Sequence, residues 1–178
     1  MGKPTTIGKS YNHVSIDRTK PFNPAKFIGN EWTIWKGSAD DDGLTGAEEQ
    51  DEHSLALTEV DISQIRLETC LKSDEPYLSG EENLLRLKST GHIRLDAKVF
   101  QTFWENQHLI PELWKEKISG YTTYIFFDGT ILRIPDACRY ALCFYWCGGR
   151  WRWDCHWLDG HRYVSGPSAV LASEHLAV

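Results

Sequence analysis

The stretch Tyr140-Ala141-Leu142-Cys143-Phe144-Tyr145-Trp146-Cys147-Gly148-Gly149-Arg150-Trp151-Arg152-Trp153-Asp154-Cys155-His156-Trp157 decides how this chain reads. Gly148-Gly149 between two alternating runs signals a two-residue hairpin turn, because both central residues of such a turn need positive φ. The turn sets the register. Trp146 falls opposite Trp151, Phe144 opposite Trp153, Leu142 opposite Cys155 and Tyr140 opposite Trp157. Side chains alternate along a strand, so these eight share one face. The other face carries Cys147, Arg150, Tyr145, Arg152, Cys143, Asp154, Ala141 and His156. One side is aromatic and apolar, the other mixed and polar.

Upstream, the period of two begins at Tyr121. Tyr124–Phe127 and Thr130–Arg133 flank Asp128-Gly129, a second hairpin signal. Pro135-Asp136-Ala137-Cys138 makes the connecting turn. The reading is a four-stranded antiparallel β-meander. Two or three short helices precede it. Ser79 with Glu82 forms a capping box for the first, with Leu84, Leu85 and Leu87 on its apolar side and Gly91 as its stop. Asp96 caps a second through about Asn106, turning Val99, Phe100, Phe103 and Trp104 to the core and Lys98, Gln101 and Glu105 outward. Ile110-Pro111 opens a short third, with Leu113 and Trp114 on its apolar edge. Residues 61–71 fit two patterns. Asp61 with Gln64, and the spacing of Ile62, Ile65 and Thr69, favour a short helix, while Ile65, Leu67, Thr69 and Leu71 alternate as a strand would. Ala169-Val170-Leu171 adds a short helical turn near the end. Helices followed by a meander read as α+β.

At 178 residues the chain suits one domain plus a tail. Residues 1–26 read as a mobile tail, residues 27–35 as a short aromatic stretch, and Ser38–Glu52 as a carboxylate-dense linker. The expected organisation is a flexible, partly acidic segment over 1–53, one compact domain over 54–173, and a tail over 174–178. Charge is uneven. Residues 1–30 hold Lys3, Lys9, Arg18, Lys20 and Lys26 against Asp17, whereas residues 31–80 hold 13 acidic and 3 basic residues. No apolar run reaches the roughly 20 residues of a membrane helix, and the N-terminus has no apolar signal region. The five cysteines have no regular spacing. Reduced thiols in the cytoplasm are the expectation.

Each candidate site has a plainer reading beside it. Cys143, Cys147, Cys155, His156 and His161 are zinc-ligand types. However, four residues along a strand span about 13 Å, and Cys155 and His156 face opposite ways. No metal and no cofactor are expected, and the cysteines read as small apolar residues. Cys143, Asp154 and His156 share a face, and thiol catalysis needs such a base nearby; the plain reading is a polar solvent face. Helices at Glu81–Ser89 and Ala97–Asn106 loosely suit a helix–turn–helix, but the cationic face of a DNA binder is missing. Trp146 and Trp151 lie beside the turn, where cover is poorest, and Arg150 and Arg152 flank Tyr145. Trp146, Trp151, Arg150, Arg152 and Tyr145 are therefore the candidate binding residues. Glycine-rich phosphate loops and nucleophile elbows are absent.

Gly80-Glu81-Glu82, Leu85-Arg86-Leu87-Lys88 and Gly91–Phe100 form one block of a resemblance, continued by Trp104-Glu105-Asn106, Ile110-Pro111-Glu112 and Trp114-Lys115. Phe126–Thr130, Leu132-Arg133, Pro135 and Gly149–Trp153 complete it. Over about residues 55–173 the chain resembles a group of uncharacterised bacterial hypothetical proteins. The resemblance implies a bacterial cytosolic setting and no particular activity.

The leading expectation is a non-catalytic module that binds another macromolecule, expected to be a protein, through the Trp-rich hairpin. One alternative is a small thiol-dependent enzyme using Cys143, His156 and Asp154. Another is nucleic-acid binding through the 96–106 helix and the basic tail, which the acidic overall charge disfavours. No membrane association is expected.

Overall fold

The computed structural model describes residues 12–172. Its strands are β1 (His13–Ser15), β2 (Thr33–Ile34), β3 (Glu59–Asp61), β4 (Ile65–Glu68), β5 (Leu78–Ser79), β6 (Ile93–Arg94), β7 (Tyr124–Arg133), β8 (Arg139–Cys147), β9 (Arg150–Trp157), β10 (His161–Arg162) and β11 (Ser168–Leu171). Its helices are α1 (Pro24–Phe27), α2 (Glu52–Ala56), α3 (Gly80–Thr90) and α4 (Ala97–Glu105).

The main sheet is mixed and seven-stranded, in the order β4-β11-β7-β8-β9, with β2 against β7 and β6 against β11. β11 runs parallel to β7. This corrects the expected four-stranded antiparallel meander behind two or three helices. Three segments make the difference. First, Asp128-Gly129 is not a turn, since β7 runs through it. Its register with β8 passes from Phe127↔Leu142 to Leu132↔Tyr140, so β7 bulges there. Gly129 donates its N–H to Leu95 O, and its own carbonyl accepts from Asp51 N–H. A Cβ on Gly129 would lie 2.2 Å from Arg94 O. The glycine is there for close backbone approach rather than for a turn. Second, Ile65–Glu68 is a strand, and Asp61 caps only a single 3₁₀ turn, Ile62–Gln64. Third, Ala169–Leu171 is strand rather than helix and lies between β4 and β7.

The expected mobile tail also differs over its described part; residues 1–11 lie outside the described residues. β1 pairs with β3, and Val14 and Ile16 are buried. Trp32 sets its ring 5.2 Å from that of Tyr140, and Trp35 is 1% exposed.

The helix signals correspond to real caps. Ser79 Oγ accepts from Glu82 N–H at 3.1 Å, and Gly91 ends α3 at φ 71°. Asp96 accepts from the Lys98 and Val99 N–H groups at the start of α4. The third helix is one 3₁₀ turn, Glu112–Lys115.

Both sheet faces are covered. On one, Phe100 of α4 stacks on Phe144 at 4.3 Å, and Phe27 and Trp104 close over Trp153. On the other, Leu84 of α3 and Trp35 pack with Phe126, Ile131, Ala141 and Cys143. Buried charges tie the layers together. Arg162 donates two hydrogen bonds of 2.8 Å to Asp128, both residues lying within 2% of complete burial. The Ser168 hydroxyl also donates to Asp128, and Asn83 Nδ2 donates to Ser168. Arg94 pairs with Asp51, and Arg18 with Asp96. Groups so buried persist only with matched partners.

Candidate functional site

The turn residues Gly148 and Gly149 have φ of 63° and 75°, as a two-residue primed turn requires. All eight β8–β9 pairs follow from that turn, from Cys147↔Arg150 to Tyr140↔Trp157. β9 is the last strand of the sheet, so one of its edges has no neighbouring strand among the described residues.

The turn also decides which backbone groups that edge presents. In a two-residue hairpin the pair flanking the turn is hydrogen-bonded, and bonded pairs then alternate. Arg150, Arg152, Asp154 and His156 therefore bond inward to β8. Trp151, Trp153, Cys155 and Trp157 turn their N–H and C=O groups outward. At one end of the edge these groups are taken. The Asp154 carboxylate accepts from Cys155 N–H at 2.8 Å, and Trp157 O accepts from His156 Nδ1 and from Gly160 N–H, each at 3.0 Å. At Trp151 and Trp153 the outward backbone groups have no partner strand among the described residues, although Trp151 as a whole is only 5% exposed.

Beside that open stretch lies a shallow depression of about 310 Å³, lined by Trp104, Tyr145, Arg150, Trp151, Arg152 and Trp153. It gathers four of the five candidate binding residues. Their exposure is unequal. Arg150 is exposed and Tyr145 and Arg152 are half-buried, but Trp151 is only 5% exposed. The Trp151 ring meets Trp146 at 5.4 Å, and Lys115 Nζ stands 4.3 Å over Trp146. Trp151 thus lines the depression while exposing little of itself, and Trp146 packs on Trp151 without lining it. Arg152 Nε is buried without a hydrogen-bond partner, and among the described residues neither Arg150 nor Arg152 has a carboxylate within ion-pair reach. A buried donor left open is costly unless something supplies an acceptor. Trp104, from α4, was not among the sequence candidates, because its core-facing period gave no sign of a place at the rim.

Cys143, Asp154 and His156 do share the opposite face, but as separate groups. Cys143 is fully buried and donates only to Asp154 O, at 3.6 Å. Burial, reinforced by the Asp154 charge, pushes its thiol far above the ordinary range, so it holds no reactive thiolate near neutral pH. His156 Nδ1 is engaged by Trp157 O, and its ring stands edge-on to Phe126 at 5.4 Å. Burial likewise raises Cys155 to about 12 and Cys70 to about 11. Among the described residues no three His, Cys, Asp or Glu side chains converge as a metal site would need. The 96–106 helix does not offer Lys98 outward, since that residue is 8% exposed, while Gln101 and Glu105 bond to each other at 2.7 Å. Among the described residues, no helix is long and apolar enough to cross a membrane.

No family model, curated protein or solved structure matches the chain.

Proposed function

We propose that the chain is a non-catalytic module, cytoplasmic in a bacterial cell, that takes an extended segment of a partner protein along the outer edge of β9. The strand edge without a partner at Trp151 and Trp153, beside a depression whose two arginines have no carboxylate partner among the described residues, carries this reading. Strand addition uses such an edge. Main-chain hydrogen bonds supply affinity, and alternate side chains supply specificity. The added strand bonds to the backbones of Trp151 and Trp153. Acidic side chains two residues apart on it meet Arg150 and Arg152, which project from one face of β9. Contact thus passes from the tryptophan side chains to the β9 backbone, the arginines and Tyr145.

Affinity capture from native cells, with and without nuclease, tests this. A nuclease-resistant, stoichiometric protein should be retained by the wild type and lost by Arg150→Glu/Arg152→Glu, whose exposed or half-exposed positions spare the core. Unchanged retention by the double variant would remove the edge as the contact.

A further inference from the structure

A cavity lies away from the β9 edge, between residues 15–27 and the outer side of α4. It measures about 990 Å³, within the usual size of small-molecule sites. Ser15, Asp17, Lys20, Asn23, Lys26, Lys98, Gln101, Thr102, Glu105 and Asn106 supply its polar wall; Pro21, Phe22 and Phe27 supply an apolar one.

Lys98 is the group without an explanation. It is 8% exposed, yet among the described residues no carboxylate lies within 4 Å of its ammonium. Among the described residues its one side-chain hydrogen bond is to Gln101 Oε1 at 3.5 Å, the outer limit of such a bond, and the Asp17 carboxylate feels its charge without pairing with it. Lysines are almost never buried without a partner. Gln101 lines this cavity, so the contact places the ammonium on the cavity's side. The cavity's own carboxylates are occupied. Asp17 Oδ1 accepts from the Thr19 backbone and hydroxyl, and its Oδ2 lies 3.8 Å from Lys20; Glu105 accepts from Gln101. Lys20 and Lys26 stand exposed at the rim. Asn23 spends its Oδ1 on Lys26 N–H, which leaves its amide N–H groups available.

We propose that this cavity binds a phosphate-bearing small molecule, with Lys98 as the buried cation beneath the phosphate and Lys20 and Lys26 closing over it. The donors are ammonium groups and amides without an arginine fork. That set suits a phosphate, which lysine binds as a point charge, better than a carboxylate, which favours bidentate guanidinium pairing. The Phe22–Phe27 wall gives an organic body somewhere to rest, so a phosphate monoester fits better than the free ion.

The test is an NMR titration of backbone amides with phenyl phosphate at constant ionic strength, alongside inorganic phosphate and a twelve-residue oligothymidine. Saturable shifts confined to residues 15–27 and 98–106 are expected with phenyl phosphate, and weaker ones with inorganic phosphate. Lys98→Met, which keeps the stem and removes the charge, should weaken binding by about tenfold or more, as loss of a charged hydrogen bond does. Lys115→Met, which does not line this cavity, should not. Lys20→Ala/Lys26→Ala changes only exposed side chains and should also weaken binding, so the proposal stands or falls even if Lys98→Met does not fold. Non-saturable or scattered shifts, equal affinity in the lysine variants, or tight binding of the oligothymidine alone would overturn it; the last outcome would favour nucleic acid instead.

Discussion

Replacing Asp128 by Asn leaves the Arg162 guanidinium charged and almost wholly buried without its counter-ion. Arg162 is 2% exposed, and its Nη atoms spend both 2.8 Å bonds on this carboxylate. Removing one partner of a buried ion pair costs about 3–5 kcal/mol, a large share of the roughly 5–15 kcal/mol that holds a domain together. For a chain of this size each kcal/mol shifts Tm by roughly 2–4 °C, so Asp128→Asn should lower Tm by about 6–20 °C. Arg162→Met should cost a similar amount, because it strands the carboxylate. The double variant should lose much less than the two single losses together, since no unpaired charge remains. Urea titrations followed by tryptophan fluorescence give all three values. A single-variant loss below about 1 kcal/mol at pH 7, or strict additivity in the double, would refute the idea that this pair locks the β7 bulge to β10 and β11. The pair also sets a pH dependence. Burial pushes the Asp128 carboxyl up, but the charge and hydrogen bonds of Arg162, with help from Ser168 and Arg94, more than reverse this and hold it below its ordinary value of 3.8. A carboxyl depressed on folding stabilises fully above its unfolded pKa, and that stabilisation is lost as the pH falls through the folded value. The wild type should therefore lose stability in acid below about pH 4 more steeply than Asp128→Asn does.

Other outcomes follow from single contacts. Gly129→Ala should destabilise strongly, by about 3 kcal/mol or more, because its Cβ would meet Arg94 O, Leu95 C and Asp96 N, none of which is a flexible side-chain tip; chemical denaturation near wild-type values would show that the close approach is absent. Iodoacetamide near neutral pH should label exposed Cys147 well before buried Cys143, whose thiol should react only on unfolding. Labelling of native Cys143 as fast as free cysteine, followed by peptide mass spectrometry, would restore the thiol-enzyme alternative.

What was readable in the sequence was local. The β8–β9 register needed only Gly148-Gly149 and two alternating runs, and the caps of α3 and α4 needed only Ser79, Gly91 and Asp96. What was not readable depended on distant partners. Asp128-Gly129 has the composition of a turn, but Asp128 answers Arg162 and Gly129 answers the backbone of residues 94–96, and no local pattern carries either fact. Residues 65–68 and 168–171 are short segments that become strands by pairing with each other across about a hundred residues. Lys98 sits on the outward side of its helix by period, yet residues distant in sequence, among them Phe22, Ile34 and Leu55, gather around it and leave it 8% exposed. The same limit applies to the site. Arg150, Arg152 and Tyr145 could be placed on one face by register, whereas the burial of Trp151 and the place of Trp104 required the tertiary structure.

The most direct test of the β9 reading is amide hydrogen exchange at Trp151 and Trp153, measured by NMR on the isolated protein and on its complex with the captured partner. The account predicts fast exchange at both in the isolated protein, slow exchange at inward-bonded Arg152 and Asp154, and new protection of Trp151 and Trp153 in the complex. Protection of both in the isolated protein, or exchange as fast in the complex as without it, would contradict strand addition at this edge.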